Sequence, residues 1–400
     1  MAAVGIAVVG ASLGGLRAAE QLRAAGWRGA ITVFGDERHL PYNRPPLSKD
    51  VLAGHLPARG TELRRRPSVE DVEWRLGAAV IAADLTARTL TLADGSAHMY
   101  EGLVAATGVR PRRLPIPGGP PRHVVRTLED SVALAAGLAA GTRVLTIGSG
   151  FIGCEVAATA RTAGCEVTVV APEAEPMLLA VGADLGRALR RRHEARGVRF
   201  LMGRLAAGLT ADGAVLDDGT EVGADLVVEA VGSLPNTEWL AATAGLDLTD
   251  GVLCDAHLRI GGLPHAVAVG DVARFPNPRY GPVPRRVEHW SIPGDSARHA
   301  ARTLVAGLTG TEGPGAEPFA PLPSFWSDQF GMRLQSFGQP ALADRCRLLE
   351  GDPESPDDDL LYGYYQGTRL IGVAALGGPG AVLAAGRHRA ELLTTPQPVP

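Results

Sequence analysis

The fold of this chain is decided by two short stretches of sequence, and the first is Gly5-Ile6-Ala7-Val8-Val9-Gly10-Ala11-Ser12-Leu13-Gly14-Gly15. Its apolar run predicts a buried strand, and the glycines that follow predict a tight turn. A helical apolar pattern over 16–22 comes next and is closed by Gly26. A second apolar run, 31–34, ends at Asp36-Glu37.

The second stretch repeats this order of elements and reads Val144-Leu145-Thr146-Ile147-Gly148-Ser149-Gly150-Phe151-Ile152-Gly153-Cys154-Glu155. Its helical pattern closes at Gly164, and its second strand, 167–170, leads into Ala171. Each stretch therefore predicts a strand, a glycine turn, a helix and a strand. That is the βαβ unit that binds dinucleotides.

Three positions of each turn have separate physical tasks, and they are Gly10, Ser12 and Gly15 in the first copy and Gly148, Gly150 and Gly153 in the second. The first allows a sharp turn, the second lets a pyrophosphate approach the backbone, and the third lets helix and strand pack closely. The phosphates then bind free N–H groups at the helix N-terminus. Two such units predict two dinucleotides, FAD held tightly and an exchanging nicotinamide cofactor.

The two copies differ where the second strand ends. Asp36 and Glu37 lie about 20 residues beyond the first turn, where an acid binds ribose hydroxyls. The second copy has Ala171 at the corresponding strand end and Glu173 two residues later. Since neither Arg nor Lys stands there to receive a 2′-phosphate, the sequence favours NADH over NADPH.

Length and composition exclude several classes of protein. The chain has 400 residues, which predicts two or three domains, and its net charge of −4 argues against nucleic-acid binding. The four cysteines (Cys154, Cys165, Cys254 and Cys346) form no close pair, so no metal site and no dithiol are predicted. Glycines and charges interrupt every apolar run, so no membrane span is expected. We expect a cytoplasmic protein.

Taken together, the ordered motifs resemble the FAD-dependent NAD(P)H:ferredoxin reductases of the putidaredoxin-reductase and rubredoxin-reductase type. These belong to the pyridine nucleotide-disulfide oxidoreductase superfamily but lack its redox cysteines. Besides the two glycine turns, the motifs are Pro41-Tyr42-Asn43-Arg44-Pro45-Pro46-Leu47-Ser48-Lys49, Ala106-Thr107-Gly108, Gly232-Ser233-Leu234-Pro235-Asn236, Ala268-Val269-Gly270-Asp271-Val272-Ala273, Glu288-His289-Trp290 and Phe325-Trp326-Ser327-Asp328-Gln329.

The resemblance implies an α/β architecture with two Rossmann-like domains and a small C-terminal α+β domain. The FAD-binding domain would comprise 1–113 and 234–318, with the NAD(P)-binding domain, 114–233, between its halves and the C-terminal domain at 319–400. FAD contacts carry over to Gly14, Asp36, Lys49, Val80, Arg126, Asp271 and Trp290, and NAD would lie along 144–171. The same motifs place Ala106, Thr107, Gly108, Phe151, Ile152, Gly232, Gly270, Glu288 and His289 at the cofactors.

The resemblance and the chemistry of the side chains together suggest roles for individual residues. Lys49 would stabilise reduced flavin electrostatically, and Glu155 would pair with Lys49 across the two domains. The carboxylate of Asp271 would accept a hydrogen bond from the flavin ribityl chain or pyrophosphate region; a helix N-cap is the alternative.

Arginines and tryptophans complete the predicted cofactor sites. Arg44 and Arg126 would bind pyrophosphate oxygens, with a surface salt bridge as the alternative. Trp290 and Trp326 would shield the flavin edge, with core packing as the rival interpretation.

The implied activity is hydride transfer from NADH to FAD, followed by single-electron transfer to a [2Fe–2S] ferredoxin that serves a cytochrome P450 or another oxygenase. A monomer or weak homodimer is expected. Disulfide reductases need a cysteine beside the flavin, and this chain has none before Cys154. Ile292-Pro293 replaces the usual Asn-Ala of the family, and Ser296 replaces its Gln, which leaves a flavin NADH oxidase as an alternative. A redox sensor that binds FAD and NADH without turnover is another.

Two arginine clusters, 64–66 and 190–192, are candidate docking sites for an acidic ferredoxin. The alternative is that both are solvated faces, and the implied architecture places the second cluster away from the flavin. The acidic stretch 352–359 is expected to form a solvated hairpin loop.

Overall fold

The computed structural model describes residues 4–311 and 317–394 of the chain. Parts of the predicted domain ranges, namely 1–3, 312–316 and 395–400, lie outside the described residues.

The first glycine turn joins a central parallel strand to a helix. We call the part of the chain around this turn the first unit. Its elements, before the chain enters the second parallel sheet, are β1 (Ile6–Val9), α1 (Leu13–Ala24), β2 (Ile31–Phe34), β3 (Glu73–Arg75), β4 (Val80–Asp84), β5 (Thr89–Leu92), β6 (Ala97–Met99), β7 (Gly102–Ala105) and β8 (Val109–Pro111). Strand β1 lies between β2 and β7 and is parallel to both, while β4, β5 and β6 form a separate antiparallel sheet. Every residue of β1, β2 and β7 is buried, which explains their continuous apolar runs.

The second glycine turn repeats the arrangement in a second parallel sheet. Its elements are β9 (Arg122–His123), α2 (Leu128–Ala135), β10 (Arg143–Ile147), α3 (Phe151–Thr162), β11 (Glu166–Ala171), α4 (Leu178–Glu194), β12 (Val198–Met202), β13 (Ala206–Thr210), β14 (Gly213–Leu216), β15 (Glu221–Gly223) and β16 (Leu226–Glu229). The parallel strands have the order β12-β11-β10-β16-β9, and β13–β15 form a small antiparallel sheet.

The chain then returns to the first sheet. The returning elements are β17 (Ser233–Pro235), β18 (Val252–Leu253), β19 (Ala266–Ala268), β20 (Ala273–Asn277), β21 (Gly281–Arg286) and α5 (Ile292–Thr309). Strand β19 pairs with β7, so the first sheet has the order β19-β7-β1-β2-β3. Strand β17 pairs with β8, and this ribbon joins the two units. The second parallel sheet is thus inserted between strands of the first.

The last part of the chain forms an antiparallel sheet backed by a helix. Its elements are β22 (Ser324–Gln329), β23 (Met332–Gly338), β24 (Arg345–Glu350), β25 (Leu360–Gln366), β26 (Arg369–Gly377) and α6 (Pro379–Thr394). The strand order is β22-β23-β26-β25-β24, and the acidic stretch connects β24 to β25 as expected. Two Rossmann-like sheets and a small C-terminal α+β domain confirm the predicted fold class.

The second arginine cluster holds this C-terminal sheet against α4. Arg192 is 2% exposed, and its guanidinium donates to the backbone carbonyls of Asp358 and Leu376. Arg191 pairs with Glu354 of the acidic loop. Arg190 pairs with Glu175 of the second unit at 3.0 Å. The cluster is therefore neither a docking patch nor a solvated face, because α4 packs its arginines against neighbouring elements.

None of the helices in the described ranges has both the length and the hydropathy that crossing a bilayer requires.

Candidate functional site

A cleft with a volume of about 1000 Å³ opens where the two parallel sheets and the C-terminal sheet meet. The following predicted cofactor-binding residues line it: Gly10, Ser12, Gly14, Asp36, Glu37, Arg44, Lys49, Ala106, Thr107, Gly108, Arg126, Phe151, Ile152, Glu155, Gly270, Asp271, Glu288, His289, Trp290 and Trp326. The carboxyl ends of β1, β7 and β19 all point to this cleft, which is where open α/β sheets bind their ligands.

Other predicted residues lie outside the lining of the cleft, namely Gly15, Val80, Gly148, Gly150, Gly153, Ala171, Glu173 and Gly232. Gly15 lies behind the first turn, and Val80 begins β4. The remaining residues belong to the second unit. Its three turn glycines do not line this cleft, although Phe151 and Ile152 of the same turn do.

The backbone of the first turn requires glycine at two of its positions. Gly10 has a φ of +115°, and a Cβ there would lie 2.2 Å from the carbonyl oxygen of Ala106. A Cβ on Gly15 would lie 1.8 Å from the carbonyl oxygen of Gly10. Helix α1 can therefore approach β1 closely enough to direct its N-terminal N–H groups into the cleft.

A hydrogen-bonded cluster occupies the strand end where ribose recognition is predicted. The Arg44 guanidinium lies 2.5 Å from one carboxylate oxygen of Glu37, and the Tyr42 hydroxyl donates to the other at 2.6 Å. Arg44 also donates to Ser12 Oγ at 3.3 Å. Burial raises the pKa of Tyr42, so its hydroxyl stays a neutral donor. The sequence prediction did not assign a role to Tyr42, although it lies within the 41–49 motif.

Two half-buried charges face the cleft. Among the described residues, the side chains of Asp271 and Arg126 form no hydrogen bond or ion pair. Burial raises the pKa of Asp271 to about 6, and burial lowers the pKa of Arg126. A ligand with hydroxyls and phosphates would satisfy both groups, so these residues fit the FAD that the sequence predicts.

The predicted ion pair lies where the two dinucleotide units meet. Lys49 Nζ is 2.6 Å from Glu155 Oε2, and Glu155 is only 4% exposed. Ser48 Oγ donates to the same carboxylate oxygen at 2.5 Å. Lys49 is the last residue of the 41–49 motif of the first unit, whereas Glu155 lies in the first turns of α3, so the pair bridges the two units inside the cleft.

Aromatic side chains form the outer wall of the cleft. The rings of Trp290 and Trp326 are edge to face, with centroids 5.2 Å apart, and Trp290 is 44% exposed. Core packing therefore does not account for Trp290. Phe325 packs edge-on against both Phe151 and His289, and the sequence prediction did not single it out. Burial lowers the pKa of His289 to about 4, so its imidazole is neutral.

The second glycine turn has the same backbone in a different setting. Gly148 has a φ of +104°, and a Cβ on Gly153 would lie 2.0 Å from the carbonyl oxygen of Gly148. A Cβ on Gly150 would meet open space. The Arg204 N–H donates to the carbonyl of Ala171, and its guanidinium pairs with Asp218 at 2.9 Å.

Comparison with known proteins agrees with this geometry. Residues 4–295 match the family described as pyridine nucleotide-disulphide oxidoreductase, and residues 324–394 match the one described as reductase C-terminal. The ferredoxin–NAD(+) reductase component of the anthranilate 1,2-dioxygenase system from Burkholderia cepacia is 38% identical over 88% of this chain and 86% of that protein.

Two solved structures are similar over nearly the whole chain. A ferredoxin reductase from Rhodopseudomonas palustris is 34% identical with a TM-score of 0.87, covering 98% of this chain and 96% of that one. The reductase of the covalent putidaredoxin reductase–putidaredoxin complex is 32% identical with a TM-score of 0.87, covering 98% and 93%. This chain therefore belongs to the pyridine nucleotide-disulphide oxidoreductase family, and its last part matches the reductase C-terminal domain.

Proposed function

We propose that this protein is a cytoplasmic ferredoxin–NAD(+) reductase that oxidises NADH on FAD and reduces a [2Fe–2S] ferredoxin. The ferredoxin would in turn serve a cytochrome P450 or another oxygenase. The similar proteins support this proposal, since their names describe ferredoxin reductases of oxygenase systems and a complex with putidaredoxin.

The observation that carries the proposal is the Lys49–Glu155 pair at the junction of the two units. Its ammonium group lies in a cleft lined by residues of both units. No cysteine lines this cleft within the described residues. Chemistry at the junction is therefore expected to pass between two dinucleotides and not through a protein disulfide.

The residues of the cleft would bind, orient and shield the cofactors. When bound, FAD supplies the conversion of a two-electron hydride transfer into single-electron steps. The Lys49 ammonium would stabilise negative charge near the reacting ring, and Glu155 would fix its position. Trp290 and Trp326 would cover the ring edge at the protein surface. Asp271 and Arg126 would hold the ribityl and phosphate groups.

The charges around the carboxyl end of β11 support a preference for NADH over NADPH. Arg204 lies beside Ala171 and is paired with Asp218, and Arg187 is shared between Glu175 and Asp184. These arginines are thus already neutralised. Glu173 adds a carboxylate that would repel a 2′-phosphate.

Steady-state turnover of the FAD-loaded protein with NADH and a purified [2Fe–2S] ferredoxin tests the proposal. We expect ferredoxin reduction under anaerobic conditions, faster with NADH than with NADPH. We expect slow NADH consumption when oxygen is the only acceptor. An enzyme that turns over with oxygen but not with any ferredoxin would contradict the proposal.

A flavin NADH oxidase is the second candidate, and the start of α5 favours it. Pro293 occupies the second position of this helix and lines the cleft, so one N–H of the helix N-terminus is missing. Weaker stabilisation of reduced flavin would make its reaction with oxygen faster. Oxygen turnover that matches ferredoxin turnover, and that slows in Pro293→Ala, would favour the oxidase. A flavin that NADH reduces but no acceptor reoxidises would instead indicate a sensor.

A further inference from the structure

A chain of buried polar side chains leads from Glu155 into the C-terminal sheet and on to α4. Ser327 Oγ on β22 donates to Glu155 Oε1 at 2.6 Å. Gln329 Nε2 donates to Ser327 Oγ at 2.8 Å, and His193 Nε2 lies 2.7 Å from Gln329 Oε1. Ser327 and His193 are fully buried, and Gln329 is 3% exposed. The chain therefore connects the Lys49–Glu155 pair to two further parts of the molecule.

The hydrogen bonds of this chain all point in one direction. Because the amide nitrogen of Gln329 donates to Ser327, its carbonyl oxygen faces His193 and must accept a hydrogen bond from the Nε2–H group. Burial lowers the pKa of His193 to about 4, so the ring is neutral and Nδ1 carries no proton. That nitrogen has no hydrogen-bond partner among the described residues. Every donor in the chain is thus directed towards the Glu155 carboxylate.

Aligned donors of this kind stabilise a negative charge at their end, and each bond polarises the next. The two oxygens of Glu155 are held from opposite sides. Ser48 and Lys49 of the first unit contact Oε2, and Ser327 of the C-terminal sheet contacts Oε1. Without Ser327, one oxygen of a buried carboxylate would lose its partner, which is costly in a site shielded from water.

We propose that Ser327, Gln329 and His193 are positioning residues that keep Glu155 charged and aligned with Lys49, so that the C-terminal sheet completes the hydride-transfer site. This inference rests on the proposed function. It assigns to the C-terminal domain a part in flavin reduction besides covering the cleft. The contribution depends on α4 staying close to the C-terminal sheet, which Arg192 also secures through Met332 of β23 and Leu376 of β26.

Ser327→Ala in the FAD-loaded protein tests the inference, with Ser336→Ala as a matched control. Ser336 is also a fully buried serine of the C-terminal sheet, but its hydroxyl donates to the carbonyl of Val373. We expect anaerobic flavin reduction by NADH to slow about tenfold in Ser327→Ala, the factor expected for one hydrogen bond to a charged group. Ser336→Ala should reduce flavin at the wild-type rate.

The pH dependence gives a readout that a purely structural effect would not change. The groups that contact the Glu155 carboxylate are Lys49, Ser48 and Ser327. The neighbouring Cys154 thiol donates instead to the carbonyl of Ser149, and burial raises the pKa of that thiol. Losing the Ser327 donor should shift the acid limb of the reduction rate to higher pH. Infrared titration should show the protonated carboxyl band appearing at the same higher pH. Glu155→Gln should abolish that band.

A double-mutant cycle completes the test. Ser327→Ala should have almost no further effect in the Glu155→Gln background, since the charge it stabilises is gone. Gln329→Met should slow flavin reduction by a smaller factor. This variant provides the test if Ser327→Ala cannot retain its flavin. An unshifted infrared titration together with a wild-type rate in Ser327→Ala would overturn the inference. A wild-type protein that NADH does not reduce would instead overturn the proposed function, and the infrared titration would still test the chain.

Discussion

The two glycine turns have almost the same backbone, yet they have different surroundings. In both, the first glycine has positive φ, and a Cβ on the third would collide with the carbonyl oxygen of the first. The first turn borders a deep cleft and is joined to Arg44 through Ser12. The second has Gly150 at the position of Ser12, with open space around it.

This difference distinguishes the backbone features that bind a phosphate, which both turns share, from the surrounding side chains that would retain a cofactor. The βαβ backbone alone supplies N–H groups and a helix N-terminus, and it does so in both units. Around the first turn, Asp271, Arg126 and the Glu37–Arg44 pair lie in the cleft wall and would enclose a ligand. We infer that the first unit is built for tight retention and the second for exchange.

The largest expected effect comes from adding one methyl group to the third glycine of each turn. Gly15→Ala should destabilise the protein by about 3 kcal/mol or more through overpacking and abolish flavin retention. Gly153→Ala should keep flavin while NADH binding is lost. The flavin absorbance per protein and the KM for NADH measure the two effects. Flavin loss in Gly153→Ala but not in Gly15→Ala would reverse the assignment of the two units.

Asp271→Asn tests whether the Asp271 carboxylate, which forms no hydrogen bond among the described residues of the flavin-free protein, binds the ligand of the first unit. The pKa of Asp271 in the folded protein, about 6, lies above its ordinary value of 3.8. Its charge therefore destabilises the flavin-free protein fully above about pH 6, and this effect disappears as the pH falls towards 3.8. We expect flavin-free Asp271→Asn to be more stable than wild type at pH 7 by up to about 3 kcal/mol.

That gain should vanish near pH 4, and the variant should bind FAD more weakly than wild type. Thermal unfolding at both pH values and flavin titration measure these changes. Equal stability of the two flavin-free proteins at pH 7, with unchanged FAD affinity, would argue against a ligand-binding role for Asp271.

Coenzyme choice should respond to a charge in the second unit. Glu173→Arg should raise the ratio of kcat/KM for NADPH over that for NADH about tenfold, since a cation would replace a carboxylate near the adenosine ribose. Glu166→Arg, at the start of β11, is the matched control, because Glu173 lies just beyond the other end of that strand; it should leave the ratio unchanged. If Glu173→Arg and Glu166→Arg had the same NADPH-to-NADH ratio of kcat/KM, the adenosine ribose would not bind beside Glu173.

The smallest effect is expected from making the second turn resemble the first at its middle position. Gly150→Ser should fold normally, because Gly150 has a φ of −75° and no atom lies near its added Cβ. We expect the KM for NADH to change by about threefold or less, since the backbone N–H groups remain. A large loss of NADH binding would show that the pyrophosphate contacts this position closely.

Local features of the fold could be predicted from the sequence because they depend on neighbouring residues. Gly10 and Gly15 must be glycine for backbone reasons that act within one turn, and the same holds for Gly148 and Gly153. The small C-terminal α+β domain is implied by the family resemblance alone.

Contacts between distant segments could not be predicted in this way. Arg192 looked like part of a solvated face, but its partners come from β26 and the acidic loop. The Ser327–Gln329–His193 chain joins residues of two units, and each of them alone is an ordinary polar residue. Only the packing of β22 on α3, with His193 of α4 bonded to Gln329, brings them to Glu155.

Anaerobic titration of the yellow FAD-loaded protein with NADH tests the central claim most directly. Hydride transfer across the Lys49–Glu155 junction should bleach the flavin absorbance with about one equivalent of NADH, and NADPH should be less effective. A flavin that stays oxidised with both nucleotides, yet is reduced by dithionite, would contradict the claim that this cleft joins the two cofactors.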